Sequence, residues 1–174
     1  MRSLLLAAFL LLPAPALAEP PPAGFQFFCL KNDCSPSGAS SIKYTPKLTQ
    51  DLKRVTGLNG AIRYASDKTS KWKVAVTSGD CEDIAMAKRA ALIKMGYPSS
   101  ALRPAVGWTT GSRNPAACSV AAEKKGDCLY HAVLVVVTSA GKFVLDNRTN
   151  EVLSLKKAKI RIEKMASANP MIWG

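Results

Sequence analysis

Three residue types that act together in nucleophilic catalysis occur at separated positions in this chain: a cysteine at 81, the single histidine at 131 and an aspartate at 146. A cysteine attacks as its thiolate, and a neighbouring imidazole takes the thiol proton. A carboxylate that hydrogen-bonds the imidazole holds it in the required tautomer. Cys81, His131 and Asp146 therefore form a candidate nucleophile, base and orienting acid.

The surroundings of the cysteine are acidic, since residues 79–83 read Gly-Asp-Cys-Glu-Asp. Carboxylates disfavour a thiolate, so another feature must offset them. The apolar residues that follow Cys81 recur at helical spacing and predict a helix capped by Ser78 or Asp80 and ended by Gly96. The unpaired N–H groups and the positive dipole end of such a helix stabilise a thiolate.

A lone histidine is by default a satisfied surface or core residue, and two features change that interpretation for His131. The segments 129–137 and 142–145 predict two adjacent strands joined by a tight turn. A turn at that place brings residue 131 roughly opposite residues 146 to 148 of the neighbouring strand. Asp146 is then close enough to orient the imidazole, and Cys81 supplies the thiol.

The remaining pattern predicts an α+β fold. Helical spacing over 48–62 predicts a helix whose second half is weakened by Gly57 and Gly60. The run 73–77 predicts a short strand or an extended segment, and 158–165 predicts a further strand. A helix followed by strands favours an antiparallel sheet, with the cysteine at a helix N-terminus packed on it. Three basic residues lie off the apolar face of that helix: Lys88, Arg89 and Lys94.

Five cysteines within one chain leave one of them unpaired. Cys29 and Cys34 are close in sequence, and so are Cys118 and Cys128, so each pair can close locally. These four cysteines allow three connectivities, and we favour the two local disulfides. Cys81 is then the free thiol, although spacing alone leaves open that Cys81 pairs and another cysteine is free.

The first residues indicate export. Arg2, the apolar run 4–12 and the small residues that end at Ala18 predict a signal peptide, residues 1–18, cleaved after Ala18. The mature chain, residues 19–174, is then a single domain in the periplasm or outside the cell, where disulfides persist. No later stretch is long and apolar enough to span a membrane.

The chain is strongly basic, with 24 Lys and Arg against 12 Asp and Glu and a net charge of +12. Such a charge favours acidic partners, such as an anionic protein or an envelope polymer. The charges are spread out, without a dense basic run or an aromatic-interleaved patch. Solubility is therefore the simpler explanation, and no nucleic-acid partner is expected.

Taken together, these residues resemble a known family, the bacterial transglutaminase-like cysteine proteinases. The resemblance covers nearly the whole mature chain. Its most specific parts are the block 79–83 and the spaced segments 131–134 and 144–147, with weaker support from Cys29 with Cys34, from Asn169-Pro170 and from Trp173.

The resemblance implies a papain-like, transglutaminase-like core with Cys81 as nucleophile, His131 as base and Asp146 as orienting acid. It also implies a protein substrate such as a surface adhesin. Finally, it implies a calcium ion held by the carboxylates that flank the cysteine, Asp80 and Glu82, because hard oxygen ligands suit calcium.

We therefore predict a periplasmic cysteine endopeptidase that cleaves an envelope or surface protein through a thioester. The Cys81 backbone N–H is the obvious oxyanion donor, and the indole of Trp72 is a second candidate, although a tryptophan near a strand is more often a core residue. Transamidation by the same thioester and a non-catalytic envelope-binding module are the alternatives. A zinc site at Cys81 and His131 lacks the usual paired spacing. The sequence identifies no regulatory protein partner.

Overall fold

The helices precede most of the strands along the chain. The computed structural model describes residues 18–67, 71–109, 118–120, 123 and 128–174, so almost all of the predicted signal peptide lies outside the described residues. The elements are α1 (Ala23–Cys29), α2 (Pro46–Thr56), α3 (Leu58–Ala61), β1 (Arg63–Tyr64), β2 (Ser78–Gly79), α4 (Cys81–Lys94), β3 (Leu102–Thr109), β4 (Leu129–Thr138), β5 (Gly141–Leu145), β6 (Val152–Ser154) and β7 (Ile160–Met165). The helix predicted over 48–62 is interrupted at Gly57.

The five strands after α4 form one antiparallel sheet with the order β6-β5-β4-β3-β7. The predicted hairpin is confirmed as β4 and β5, with Thr138 opposite Gly141. Gly141 has a φ of 114°, a conformation that favours glycine at this tight turn. The strand predicted near 158–165 is β7. The α+β prediction with an antiparallel sheet is therefore confirmed.

One strand of this sheet, β3, has a sequence that does not look like a strand. It contains Pro104 and Gly107, two residue types that are depleted from strands. β3 nevertheless pairs with both β4 and β7, and its register with β7 shifts between Val106 and Gly107. A Cβ at Gly107 would clash with the carbonyl oxygen of Arg161. Glycine therefore permits the close approach of β7 at this point.

The helix predicted after the cysteine is confirmed as α4, which packs mainly on β4. Its basic residues differ from what the pattern suggests, because Lys88 is 0% exposed and Arg89 is 5% exposed. The Arg89 Nε donates to the Leu102 carbonyl at 3.1 Å. The Lys88 Nζ has no hydrogen-bond partner in the described part of the chain. The core beneath α4 includes Leu48, Leu52, Leu92, Leu134 and Leu145.

Of the two predictions for 73–77, a strand or an extended segment, the strand is wrong. Asp83 holds the backbone of this segment instead of a neighbouring strand. The Lys73 N–H donates to Asp83 Oδ1 at 2.9 Å, and the Ala75 N–H donates to the Asp83 carbonyl at 3.3 Å. The strand begins later, at β2, which runs parallel to β1. The segment before Cys81 is thus tied to the first turn of α4.

Disulfides join Cys29 to Cys34 and Cys118 to Cys128, the two local pairs that the spacing favours. All five cysteines lie within the described residues, and Cys81 is the free one. The first disulfide fixes the end of α1. Among the residues that the structure describes, no helix has the length and apolar character needed to cross a membrane.

Candidate active site

Cys81 is the first residue of α4, so its backbone N–H has no partner within the helix. Its half-buried thiol donates to Glu82 Oε2 at 3.1 Å. The backbone N–H of Ala132, on β4, also faces the sulfur. The Asp80 side chain stands at the N-cap position but accepts no capping hydrogen bond from the described first turn. Of the two predicted caps, Asp80 occupies the position without using its carboxylate there.

The thiol of Cys81 is held in its protonated form. Burial, followed by the negative charge of Glu82, raises the pKa of the Cys81 thiol to about 12. The helix N-terminus alone predicts a shift in the opposite direction. A helix dipole contributes up to about 2 kcal/mol in partly buried sites, whereas burial alone can shift a pKa by about 3–5 units. Burial therefore wins at Cys81 in this structure.

His131 lies on β4 and is 2% exposed. Its Nε2 is 2.8 Å from Asp146 Oδ1, across the hairpin that β4 and β5 form. Its Nδ1 is buried and has no hydrogen-bond partner among the described residues. The structure thus brings the predicted base and orienting acid into direct contact.

Asp146 follows β5 and is surrounded by donors. Besides His131, the backbone N–H of Arg148 donates to Oδ1 at 2.9 Å, and the Arg148 guanidinium donates to Oδ2 at 2.7 Å. Burial would raise the pKa of Asp146, but the hydrogen bonds from His131 and Arg148 outweigh burial and lower it well below its usual range. Asn59 Nδ2 also donates to the Asp146 carbonyl at 2.9 Å and fixes the backbone there.

Cys81 and His131 open onto the same cavity, whose volume is about 470 Å³. Because Asp146 is ionised, the proton on the imidazole belongs on Nε2 and the lone pair on Nδ1. A general base with its lone pair free and a thiol thus share one cavity. This arrangement suits nucleophilic attack by sulfur with proton transfer to the imidazole.

Trp72 lines this cavity and is also packed as a core residue. Its ring meets Phe25 of α1 edge-on at 5.2 Å between centroids, and meets Trp173 edge-on at 6.2 Å. Phe25 and Trp173 are themselves in contact at 5.3 Å. Trp72 is therefore a core residue that also lines the cavity, and its role as an oxyanion donor stays a prediction.

A group of three aspartates lies near Cys81, and two of them, Asp67 and Asp80, line the cavity. Ligand oxygens of Asp67, Asp80 and Asp83 lie within 4.8 Å of one another. Asp80 is 5% exposed and Asp83 is 0% exposed. Oδ1 of Asp80 accepts no hydrogen bond from any residue that the structure describes. Burial, and for Asp80 also the charge of Glu82, raises the pKa of both carboxyl groups.

This group differs from the metal ligands implied by the resemblance. Asp80 belongs to it, but Glu82 points to the thiol of Cys81 and is not a member. The other members of this group are Asp67 and Asp83, and the assignment of Asp80 and Glu82 as metal ligands stays a prediction. Asp83 is part of the 79–83 block, so it could have been chosen from the sequence, whereas Asp67 carries no motif signal. Carboxylate oxygens at this spacing are suited to a hard cation such as calcium.

A cysteine that begins a helix, packed on an antiparallel sheet that carries a histidine–aspartate pair, defines the transglutaminase-like class of cysteine peptidases. Residues 16–174 match the sequence model of a family described as bacterial transglutaminase-like cysteine proteinase BTLCP. The chain belongs to this family and is a cysteine peptidase.

Solved structures of LapG from Legionella pneumophila have the same fold. The calcium-bound form matches with a TM-score of 0.54 and 21% identity, over 72% of this chain and 68% of LapG. A second LapG structure matches with a TM-score of 0.51 and 22% identity, over the same 72% and 68%. An EGTA-treated form gives a TM-score of 0.50 and 21% identity, over 71% and 64%. No match is found among curated proteins.

Proposed function

We propose that the chain is exported, is cleaved after Ala18, and acts in the periplasm as a single-domain endopeptidase of residues 19–174. Its substrate is a protein of the cell envelope or surface, and the family resemblance favours an adhesin. The two disulfides support this location, because disulfides persist in oxidising compartments. The catalytic part rests on one observation: Cys81 and His131, which is paired with Asp146, line one cavity.

In the proposed mechanism, His131 Nδ1 accepts the proton of the Cys81 thiol as the sulfur attacks a peptide carbonyl. The hydrogen bond from the thiol to Glu82 must break first. Asp146 stabilises the imidazolium through Nε2. The imidazolium then gives its proton to the departing amine, and a thioester remains on Cys81. Water, deprotonated by His131, resolves the thioester and restores the thiol.

The tetrahedral intermediate needs hydrogen-bond donors for its oxyanion. The free backbone N–H of Cys81 at the start of α4 supports its role as one donor. Trp72 is the proposed second donor, because it lines the same cavity and its ring is held by Phe25 and Trp173. A fixed indole is a better oxyanion donor than a mobile one, since it needs no reorganisation during the reaction.

We also propose that Asp67, Asp80 and Asp83 hold a calcium ion. Three carboxylates in close reach, an unpartnered buried Oδ1 on Asp80 among the described residues, and raised carboxyl pKa values all fit a cation. The calcium-bound and EGTA-treated LapG structures support this choice of metal. When bound, calcium would supply positive charge next to Cys81, which lowers the pKa of a thiol.

The proposal is tested by incubating residues 19–174 with extracted envelope proteins in calcium, then labelling and mapping the new protein N-termini. New termini are expected with the wild-type protein and not with Cys81→Ala. The same termini in the Cys81→Ala sample would contradict the mechanism. A wild-type sample without new termini would contradict the proposed substrate class.

A non-catalytic envelope-binding module is the alternative, and membership in a family of cysteine proteinases weighs against it. The two candidates differ in how Cys81 reacts with a peptide ester or thioester substrate. A peptidase forms a covalent acyl-enzyme at Cys81 that mass spectrometry detects as a defined mass increase. A binding module retains the substrate without any covalent adduct.

A further inference from the structure

Lys73 forms ion pairs with two of the three carboxylates proposed to hold calcium, those of Asp67 and Asp83. Its Nζ lies 3.1 Å from Asp83 Oδ2 and 3.9 Å from Asp67 Oδ2. Its backbone N–H donates to the other oxygen of the same carboxylate, Asp83 Oδ1, at 2.9 Å. One residue therefore grips Asp83 from two sides, once through the main chain and once through the side chain.

The two contacts differ in how easily they can be given up. The backbone contact is part of a fixed segment, because Asp83 in the first turn of α4 accepts from the backbone N–H groups of both Lys73 and Ala75. The ammonium group stands on a flexible stem, and the Lys73 side chain is 54% exposed. The ammonium can therefore move into solvent while the backbone contact stays. Asp80 Oδ1 and Asp83 Oδ2 are both buried and accept no hydrogen bond in the described structure, and only the second has the Lys73 ammonium beside it.

We propose that Lys73 is a tethered competitor for the cation at Asp67, Asp80 and Asp83, and that it sets the calcium concentration at which this site fills. This inference rests on the calcium site of the proposed function. The Lys73 ammonium neutralises part of the carboxylate charge from a position that overlaps the approach of a divalent cation to Asp83 and Asp67. Calcium binding then requires the ammonium to leave, and the side chain returns when calcium dissociates.

The charge of the ammonium is what matters for this competition. A cation beside three carboxylates lowers the attraction that they exert on a second cation. Because Lys73 is more than half exposed, solvent screens part of this effect. We expect removal of the Lys73 charge to tighten calcium binding about tenfold, a modest gain that fits a screened charge at this distance.

Lys71 provides a matched control. It is exposed, lies two residues away and carries the same charge, and no ion pair of Lys71 with the three carboxylates is found in the described structure. Lys71→Met and Lys73→Met therefore change the net charge equally. Only the second removes a charge that contacts Asp83 and Asp67. Lys73→Met keeps the backbone N–H that Asp83 Oδ1 accepts.

The experiment is calorimetric titration of calcium chloride into metal-free protein at constant pH and ionic strength, with Asp80→Asn as the site-loss variant. The Kd for calcium should fall about tenfold in Lys73→Met and change less than twofold in Lys71→Met. Circular dichroism checks folding, and Lys73→Gln replaces Lys73→Met if the latter does not fold.

Two results would count against these ideas, and they are separable. Equal calcium affinity in Lys73→Met, Lys71→Met and wild type would overturn the role of Lys73 and leave the calcium site standing. Absence of calcium binding in wild type and in both lysine variants would overturn the calcium site itself. Tighter binding in Lys73→Met together with loss of binding in Asp80→Asn would support both.

Discussion

The buried carboxylate beside His131 and those near Cys81 have opposite environments. Asp146 accepts hydrogen bonds from His131 and from the backbone and guanidinium of Arg148, and its pKa is lowered. Asp80 and Asp83 are equally buried, and their pKa values are raised. Burial acts on all three carboxyl groups in the same direction. The number of donors and cations around each one decides the final sign.

Asp146 already has enough donors to stay charged, whereas Asp80 and Asp83 need a further positive charge. Asp146 is stable as an anion within the chain itself, so it can orient His131 in the protein alone. Asp80 Oδ1 and Asp83 Oδ2, in contrast, accept no hydrogen bond from any residue that the structure describes. Burial, followed by the charge of Glu82, raises the pKa of the Cys81 thiol, which donates to Glu82. The His131–Asp146 pair is therefore formed in the protein alone, whereas the Cys81 thiol is kept protonated.

The largest expected effect is the loss of kcat when Asp146 is replaced. Asp146→Asn should lower kcat by about 10³–10⁴-fold, because an amide favours the wrong tautomer of His131. The measurement is kcat for cleavage of a substrate peptide at saturating calcium. Arg148→Gln is the matched control, since it removes only the exposed partner of Asp146, and it should cost less than about tenfold. Activity of Asp146→Asn within tenfold of wild type would make Asp146 structural.

The rate of Cys81 alkylation measures how strongly burial and the nearby carboxylates raise the pKa of the thiol. Since the pKa of the Cys81 thiol is raised to about 12, its rate of reaction with iodoacetamide in EGTA should keep rising through pH 10. In calcium, the midpoint of the rate profile should fall by two or more pH units, roughly the size of shift that a nearby charge produces. Mass spectrometry locates the label. A midpoint in EGTA near that of an ordinary thiol would contradict the effect of burial and of Glu82 on Cys81.

Lys88 is a buried cation near Asp146, and its replacement shows what the buried charge costs the folded protein. Burial lowers the pKa of Lys88 to about 8, although the charge of Asp146 acts in the opposite direction. The unfolded chain binds more protons than the folded chain between that value and the ordinary lysine pKa, so stability should rise with pH across this range. At pH 7, Lys88→Met should raise the free energy of unfolding by about 3 kcal/mol.

Urea unfolding at pH 7 and pH 10 measures this effect. The advantage of Lys88→Met should shrink at pH 10, where the wild-type lysine has lost most of its charge. Lys94→Met, on the exposed end of the same helix, should stay within about 0.5 kcal/mol of wild type at both pH values. A destabilised Lys88→Met would indicate that the ammonium has a favourable partner.

The smallest expected effect is on the free energy of unfolding of metal-free protein, which Asp146→Asn and Asp80→Asn should change in opposite directions. Asp146→Asn should lower the free energy of unfolding by about 2 kcal/mol, because a stabilising anion is lost. Asp80→Asn should raise it, because an unfavourable buried anion is lost.

The stabilisation from Asp146 holds above the ordinary aspartate pKa and disappears as the pH falls through its lowered pKa. The cost of ionised Asp80 is present at neutral pH and is relieved as the pH falls. Thermal unfolding in EGTA gives both signs, and two shifts of the same sign would remove the contrast.

The local parts of this site could be predicted from the sequence. The turn between 137 and 142 fixes the strand register, so the closeness of His131 and Asp146 follows from pairing. The apolar spacing after Cys81 likewise gives the start of α4. Both depend only on residues that are near one another in the chain.

The parts that depend on distant neighbours could not be predicted. Gly107 is acceptable within β3 only because β7 approaches there. Lys88 lies off the apolar stripe of α4 and is buried because other elements cover that face. Asp67 carries no motif, and its place beside Asp80 and Asp83 comes from the tertiary fold. The raised pKa of Cys81 also reflects burial, which spacing does not reveal.

The hairpin that joins His131 to Asp146 also has a consequence for how the protein matures. These two residues are 15 positions apart, whereas Cys81 precedes His131 by about 50 residues. Hairpins form in about 1–10 μs, and closing a longer loop costs more entropy, so we expect the dyad to form before α4 docks. Until then, Cys81 is one of five thiols that can react during oxidation. The yield of active enzyme should therefore depend on α4 docking before the four partner cysteines are oxidised.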